Sequence, residues 1–402
     1  MARAVPVPVR LVLFRRWQAG QTVAEIADAL ALRPRTVRQL IRRFRAGQPE
    51  ALGPAYERCG RDQPWPDPRI FASALDLRRQ HPAWGAGYIR VWLQEDWPGQ
   101  PLPSTRTLQR WFARAGLGPA PTGTRPRTSR PRATKPHQVW QIDAVERIHL
   151  ASGARVSWLR VTDEFSGAVL HTKVFPHGRF SQVGAQAVQA ELRQAFTRWG
   201  RPEAVRVDNG APWGSTGDLP TPLALWLIGL QIQVIRNPPR QPRQNAVVER
   251  TQGVSQRWVE PQTCRSAQEL QQRLGPADRI QRERYPSIGG RSRLESYPEL
   301  AHVARPYSQA WERRHWSLPL VLRYLSEYAV PRQVRHHGDV SIYDRDHWVG
   351  KGWAGRTVYV TVDPETQEWI YQDERGGVIR REAAKELTRE RLIELQRGEG
   401  HV

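Results

Sequence analysis

Three acidic residues have the types and positions needed to assemble a site for phosphodiester chemistry. Asp143 lies inside the apolar stretch VWQIDAV, where an Asp is unusual because its side chain competes for backbone hydrogen bonds. Asp208 ends the run AVRVD, and Glu249 lies in the helical pattern RQNAVVER. Three neighbouring carboxylates repel one another unless a divalent cation neutralises them. Two Mg²⁺ ions held by such a set can activate the attacking oxygen and stabilise the leaving oxygen of an in-line displacement.

Each acid also has a simpler structural explanation when it is considered alone. The pair Asn209-Gly210 after Asp208 is a turn signal, so this Asp could serve only to shape the backbone. Asp143 could lie at a strand edge, and a lone helical Glu such as Glu249 usually faces solvent. The elements that carry the three acids must decide between these explanations.

The pattern that surrounds the acids predicts an α/β domain. From residue 138 the pattern changes from helical to β, and three meandering strands are followed by helix, strand, helix, strand and helix. This is the order of an RNase H-like fold, a layered sheet with helices on its faces, and we predict it over 137–265. In this order the first and fourth strands are neighbours, so Asp143 and Asp208 converge. The helix that carries Glu249 would pack beside the same edge.

The flanking C-terminal sequence predicts three further segments. Residues 266–328 have a helical and loop-like pattern and are assigned as a connector. Short alternating runs separated by turn signals predict a small β-barrel over 329–384. The run EAAKELTRERLIELQR, which begins at Glu382, has a helical pattern, and a C-terminal helix and tail are assigned over 385–402.

Two N-terminal segments predict all-α helix-turn-helix domains that bind DNA. In the first, 1–52, Thr22 and Glu25 have the spacing of a capping box, and the third predicted helix is strongly basic. The second, 62–117, repeats the arrangement with a basic last helix that Ser104 caps. A plain three-helix bundle is the alternative interpretation of the first segment.

A basic, Pro-rich linker over 118–136 connects these domains to the predicted core, and no acidic residue occurs from Trp97 to Ile142. The linker could lie along DNA phosphates or serve as a simple tether. The arginines predicted to contact DNA in the helices, the linker and the core are Arg35, Arg38, Arg42, Arg106, Arg110, Arg125, Arg127, Arg130, Arg243 and Arg250.

The composition agrees with a nucleic-acid partner. The 402 residues carry a formal net charge of +22, from 61 Lys and Arg against 39 Asp and Glu. This excess implies a polyanion such as DNA, although a GC-rich genome also favours arginine. The two cysteines, Cys59 and Cys264, are too few and too far apart for a zinc site or a disulfide framework. We see no signal peptide and no apolar run long enough to cross a membrane, so a cytoplasmic, nucleoid-associated location is expected.

The three acidic motifs, taken together, resemble those of the DDE transposases and retroviral-type integrases, specifically bacterial insertion-sequence transposases with an integrase catalytic core. The matching residues are Trp140 and Asp143 in WQID, Asp208, Asn209 and Gly210 in VDNGAPW, and Asn245, Glu249 and Arg250 in PRQNAVVER. The segment between Asp208 and Glu249 is longer than is usual in the family. The excess falls in the stretch GSTGDLPTP, and a loop tolerates such an insertion.

The resemblance implies a mechanism and partners. Asp143, Asp208 and Glu249 would be the catalytic residues and would hold two Mg²⁺ ions, or Mn²⁺ in their place, with Asn209, Gly210 and Asn245 in supporting roles. Water would hydrolyse a phosphodiester at the end of a double-stranded DNA element, and the freed 3′-OH would then attack target DNA. A homo-oligomer on DNA is implied, and some related elements also use an AAA+ ATPase partner.

Two other classes of protein stay open. A domesticated transposase could bind specific DNA without catalysis, but the intact set of three acids argues against it. An RNase H-like nuclease could cut without joining, but the two predicted DNA-binding domains argue against that alternative.

Overall fold

A computed structural model of the chain describes residues 5–46, 67–118, 133–176, 184–214, 218–237 and 245–395. The chain divides into two compact units, Met1–Pro66 and Asp67–Val402. Among the described residues, no helix combines the length and the apolar character that a membrane crossing requires. The predicted DNA contacts Arg125, Arg127, Arg130 and Arg243 lie outside the described residues.

Over its described residues, 5–46, the first unit contains three helices, α1 (Val7–Gln18), α2 (Val23–Ala29) and α3 (Pro34–Ala46). The predicted capping box at the start of α2 is confirmed. The Thr22 hydroxyl accepts from the Glu25 N–H at 3.3 Å, and the Glu25 carboxylate accepts from the Thr22 N–H at 2.7 Å.

The core of the first unit is small and comes from all three helices. Its buried members are Leu13, Ile26, Ala27, Val37, Leu40, Ile41 and Phe44. Because the apolar residues of α3 face this core, its arginines are left on the opposite side, and Arg35, Arg38 and Arg42 are exposed.

The second unit begins with another three helices, α4 (Pro68–Gln80), α5 (Ala86–Asp96) and α6 (Thr105–Arg114). The Ser104 hydroxyl caps α6 by accepting from the Thr107 N–H at 3.1 Å, as predicted. Arg106 and Arg110 are exposed on α6.

A five-stranded mixed sheet with flanking helices forms the centre of the second unit. Its strands are β1 (Val139–His149), β2 (Arg155–Asp163), β3 (Val169–Pro176), β4 (Ala204–Val207) and β5 (Gln233–Arg236). Their order in the sheet is β3-β2-β1-β4-β5, with β1, β4 and β5 parallel and β2 antiparallel to its neighbours. The predicted order of strands, and the adjacency of the first and fourth strands, are therefore confirmed.

Three helices alternate with the last strands of the sheet in the predicted order. The helix α7 (Ala185–Trp199) follows β3, α8 (Pro222–Gly229) follows β4, and α9 (Ala246–Val259) follows β5. The segment predicted as a connector contains α10 (Ala267–Glu283), α11 (Arg293–Ser296), α12 (Gln309–His315) and α13 (Leu318–Leu325). These helices pack onto the sheet and its helices, with α10 against β3 and α13 against α8.

The helices α4–α6 share a hydrophobic core with the central sheet and with α9 and α10. The ring of Tyr88 stacks on Trp258, with centroids 4.1 Å apart, and the Trp84 indole donates to the Trp258 carbonyl at 2.9 Å. His81 Nδ1 lies 2.7 Å from a carboxylate oxygen of Glu260. The C-terminal end of α9 is therefore fixed by residues of α5 and of the turn between α4 and α5.

Six short strands follow α13: β6 (Val330–Gln333), β7 (Asp339–Ile342), β8 (Arg345–Trp348), β9 (Thr357–Asp363), β10 (Glu368–Gln372) and β11 (Val378–Ala383). They form a four-stranded sheet, β11-β10-β9-β6, and a separate hairpin, β7-β8. The predicted β-barrel is not confirmed, because these sheets are not closed on themselves.

The C-terminal helix is shorter than the helical sequence pattern that predicts it. The helix α14 spans Arg389–Glu394 only. The first residues of the apolar and charged pattern, Glu382 and Ala383, pair instead with Trp369 and Glu368 of β10.

A buried guanidinium ties the sheet to the helices behind it. Arg160 of β2 is fully buried and donates to the Thr251 carbonyl at 2.8 Å and to the Ser255 hydroxyl at 2.7 Å. Its other terminal nitrogen donates to Asp278 of α10 at 3.0 Å. Since burying a charge without partners is costly, this arrangement binds β2, α9 and α10 to one another.

We predict that Arg160→Met lowers the free energy of unfolding by about 3–5 kcal/mol, because the change leaves Asp278 buried without its ion-pair partner. Urea unfolding followed by circular dichroism measures the loss. The control is Arg79→Met, which breaks the exposed 2.9 Å pair with Asp76 and should cost about 0–1 kcal/mol. Equal losses in the two variants would contradict this role of Arg160.

Candidate active site

The parallel register of β1 and β4 brings two of the three acids side by side. Trp140 pairs with Val205 and Gln141 pairs with Arg206. The same register, continued for two residues, sets Asp143 opposite Asp208, which follows the last residue of β4 and is exposed. The turn interpretation and the site interpretation of Asp208 are therefore compatible, since the chain bends directly after it.

The helix α9 brings the third acid to the same edge. Glu249 lies in the first turn of α9 and is exposed. Gln252, one turn further along and buried, donates to a carboxylate oxygen of Asp143 at 3.2 Å. This bond holds the first turns of α9 against the middle of β1, so that Glu249 lies near Asp143.

The three acids influence one another electrostatically. Burial raises the pKa of Asp143 to about 6, and the negative charges of Asp208 and Glu249 raise it as well, against the hydrogen bonds from the Ala144 backbone and Gln252. Partial burial also raises the pKa of Glu249. The structure therefore brings Asp143, Asp208 and Glu249 into one negatively charged region.

The chemistry of this donor set fits a hard divalent cation, because carboxylate oxygens are the ligands that Mg²⁺ prefers. Within the described residues, no three His, Cys, Asp or Glu side chains are already gathered closely enough to hold one ion. Mg²⁺ is usually bound through one or two carboxylates together with waters and substrate phosphates, so it does not need such a cage. The adjacent pair Asp143 and Asp208 meets that requirement.

A chain of three asparagines links the strand ends to the start of α9. The Asn209 amide donates to the Asn237 carbonyl at 2.6 Å, and the Asn237 amide donates to the Asn245 side-chain oxygen at 2.7 Å. Asn245 occupies the N-cap position of α9 without a side-chain capping bond. The side chain of Asn245 is therefore bonded to the strand end at this edge and does not cap the helix.

Sequence reasoning missed two buried residues that position the acids. Asn237, directly after β5, joins Asn209 to Asn245, and its only sequence signal is its place at a strand end. Gln141 accepts from the Val248 N–H at 3.0 Å. Gln141 lies two residues before Asp143, so the alternation of a strand places both side chains on one face, and this signal was available.

The predicted DNA-contacting arginines within the described residues are exposed. Arg250 follows Glu249 on α9, Arg106 and Arg110 lie on α6, and the remaining three lie on α3. Their exposure leaves them accessible to phosphates, and the individual contacts stay predictions.

Comparison with known proteins gives one matching domain family and several similar solved structures. Residues 6–53 match the homeodomain-like family of helix-turn-helix domains. The solved structures to which the chain is similar include the simian T-cell lymphotropic virus intasome in complex with PP2A regulatory subunit B56 gamma, with 18% identity, coverage of 59% of this chain and 77% of that chain, and a TM-score of 0.35.

Two isolated integrase domains are also similar. The catalytic core of BIV integrase is 20% identical over 41% of this chain and 97% of that chain, with a TM-score of 0.31. The HTLV-2 integrase core in complex with magnesium is 17% identical over 40% and 97%, with a TM-score of 0.30.

We predict that Asp143→Asn stabilises the metal-free protein at pH 7.5 but not near pH 4. The pKa of Asp143 is about 6 in the folded chain against about 3.9 in an unfolded one. The wild type therefore loses stability as the pH rises through this interval, and the full penalty is present above it. The neutral Asn avoids the penalty, which for a shift of about two pKa units is about 3 kcal/mol.

Thermal unfolding in EDTA at both pH values measures this difference. Glu146→Gln is the control, because Glu146 is an exposed acid on the same strand. A stability difference between Asp143→Asn and wild type that does not change with pH would contradict the prediction.

Proposed function

We propose that the chain is a DNA transposase or integrase, a polynucleotidyl transferase that cleaves a phosphodiester at the end of a DNA element and joins the 3′-OH to target DNA. The observation that carries the proposal is the β1–β4 register, which sets Asp143 beside Asp208. The position of Glu249 in the first turn of α9, tied to β1 through Gln252, completes the set.

In this proposal Asp143, Asp208 and Glu249 are the catalytic residues and would hold two Mg²⁺ ions, or Mn²⁺. When bound, the ions supply activation of the attacking oxygen and stabilisation of the leaving oxygen. The side chain of Gln252 holds one oxygen of Asp143 in place by donating a hydrogen bond to it. The exposed positions of Asp208 and Glu249 allow a DNA phosphate to approach them from solvent.

Double-stranded DNA is the proposed partner of the basic surfaces. The homeodomain-like unit presents Arg35, Arg38 and Arg42 on α3, the position of a recognition helix in a helix-turn-helix domain. Arg106 and Arg110 of α6 and Arg250 of α9 would contact DNA phosphates as well. Self-association on two DNA ends and an AAA+ ATPase partner follow from the resemblance alone.

The catalytic proposal predicts that Asp208→Asn abolishes strand cleavage and joining. Loss of an outer-shell partner of a metal ligand already costs 10–100-fold, so loss of a ligand should lower the rate by at least about 100-fold. The assay uses purified protein, Mg²⁺ and a labelled fragment of the element end with supercoiled target DNA.

The matched control for this assay is Glu146→Gln, which removes an acid that lies near the site but matches no ligand position in the family. It should retain the wild-type rate within about threefold. Equal activity of Asp208→Asn and wild type, or equal losses in Asp208→Asn and Glu146→Gln, would count against the proposed site.

DNA binding gives an independent prediction for α3. Arg38→Gln should weaken binding and reduce the slope of log affinity against log salt by about 1, because one phosphate contact is lost. The control is Arg79→Gln on α4, which removes the same charge from an exposed position outside the predicted recognition helices. Fluorescence anisotropy over a salt series measures both slopes. Identical slopes for Arg38→Gln and wild type would contradict the proposed contact between Arg38 and a DNA phosphate.

A further inference from the structure

A buried polar cluster lies directly beneath the three acids. Its members are Gln141 of β1, Glu164 at the end of β2 and Arg206 of β4, which are 2%, 3% and 4% exposed. The Gln141 amide donates to Glu164 Oε2 at 2.9 Å, and Arg206 Nε donates to the same oxygen at 2.7 Å. One carboxylate oxygen therefore holds two neighbouring parallel strands together.

The cluster also reaches α9. The side-chain oxygen of Gln141 accepts from the Val248 N–H at 3.0 Å. Val248 is the third residue of α9, and its N–H is one of those that have no partner inside the helix. Asn245 makes no side-chain capping bond, so Gln141 satisfies this N–H from the strand in place of a local cap.

The spacing of the cluster matches the spacing of the acids. Gln141 lies two residues before Asp143, and Arg206 lies two residues before Asp208. In a strand this places each pair of side chains on one face. Val248 directly precedes Glu249. Each of the three elements that carry an acid is therefore hydrogen-bonded within the cluster close to its acid. The bonded position is two residues before the acid on β1 and β4 and one residue before it on α9.

Such a cluster is a costly way to fill a protein interior, because apolar side chains of the same volume are often as stabilising as a buried ion pair. Burial opposes ionisation of Glu164, but the hydrogen bonds from Arg206 and Gln141 outweigh it and lower its pKa. Glu164 is therefore charged, and the hydrogen bonds that it accepts have a defined direction. Together with the bond from the Val248 N–H to Gln141, they fix the relative positions of β1, β4 and α9. Apolar packing would not define these positions as narrowly.

We infer that the Gln141–Glu164–Arg206 cluster sets the spacing of Asp143, Asp208 and Glu249, and that Gln141 is the positioning residue through which the cluster controls the affinity of the site for a divalent cation. This inference rests on the proposed function, since it takes these acids as the cation ligands.

The test measures Mn²⁺ binding to the full chain without DNA, from the loss of the free-ion signal in electron paramagnetic resonance. Gln141→Met keeps the volume of the side chain and removes the hydrogen bonds to Glu164 and to the Val248 N–H. We expect it to raise the dissociation constant for Mn²⁺ by about 10-fold, the lower end of the effect of losing a hydrogen-bond partner of a metal ligand, because Gln141 acts on the acids through the backbone beneath them.

The matched control is Gln189→Met on α7. Gln189 is 3% exposed and makes two hydrogen bonds, to the Ile393 carbonyl at 2.8 Å and with Arg193 at 3.3 Å. The Gln189→Met variant should lower the melting temperature as Gln141→Met does but leave the affinity for Mn²⁺ unchanged. If both variants bind Mn²⁺ as the wild type does, or if both lose affinity equally, the inference is wrong.

Two further variants separate the possible failures. Asp208→Asn should lose Mn²⁺ affinity if the acids are ligands, so unchanged binding by this variant, or no binding by wild type, would overturn the proposed function together with the inference. Loss in Asp208→Asn without loss in Gln141→Met overturns the inference alone. Should Gln141→Met fail to fold, Glu164→Gln removes the shared carboxylate at constant volume, and the same expectation applies to it.

Discussion

The parallel pairing of β1 with β4 is the contact on which the candidate site depends. The two strands are far apart in the chain, and their register alone decides which residue lies beside Asp143. A slip by one residue would displace Asp208 and turn its side chain to the other face of the sheet. The four buried positions of β4 and the bond from Arg206 to Glu164 both oppose such a slip. The ends of the strands can therefore carry exposed acids while their interiors define the geometry.

The helix α9 holds the third acid, Glu249, in a fixed place although its side chain is exposed. Glu249 itself has few contacts that could anchor it, so the helix is anchored instead. Gln141 holds its first turn, Arg160 holds its middle, and Trp84 holds its last turn through the Trp258 carbonyl. The carboxylate can face a substrate because the backbone beneath it is bonded along its whole length.

Local patterns were sufficient to predict the strands and helices of the central domain and the capping of α2 and α6, because each rests on residues close in sequence. The roles of Gln141 and Asn237 could not be predicted in this way. Their partners, Val248 and Asn245, become neighbours only after folding. Similarly, turn signals after β6 predicted short strands but could not determine whether the strands close into a barrel. The pairing of β11 with β10 over Glu382 likewise overrides a helical pattern.

The shared core of α4–α6 and the central sheet limits how these three helices can change. The first unit has its own core. The helices α4–α6 instead cover Trp158 and Trp258, which are buried with them. They are therefore not an exchangeable module, because replacing them would uncover the interior of the sheet and of α9. Any change in the surface that α6 presents has to come by substitution on its exposed face, one side chain at a time.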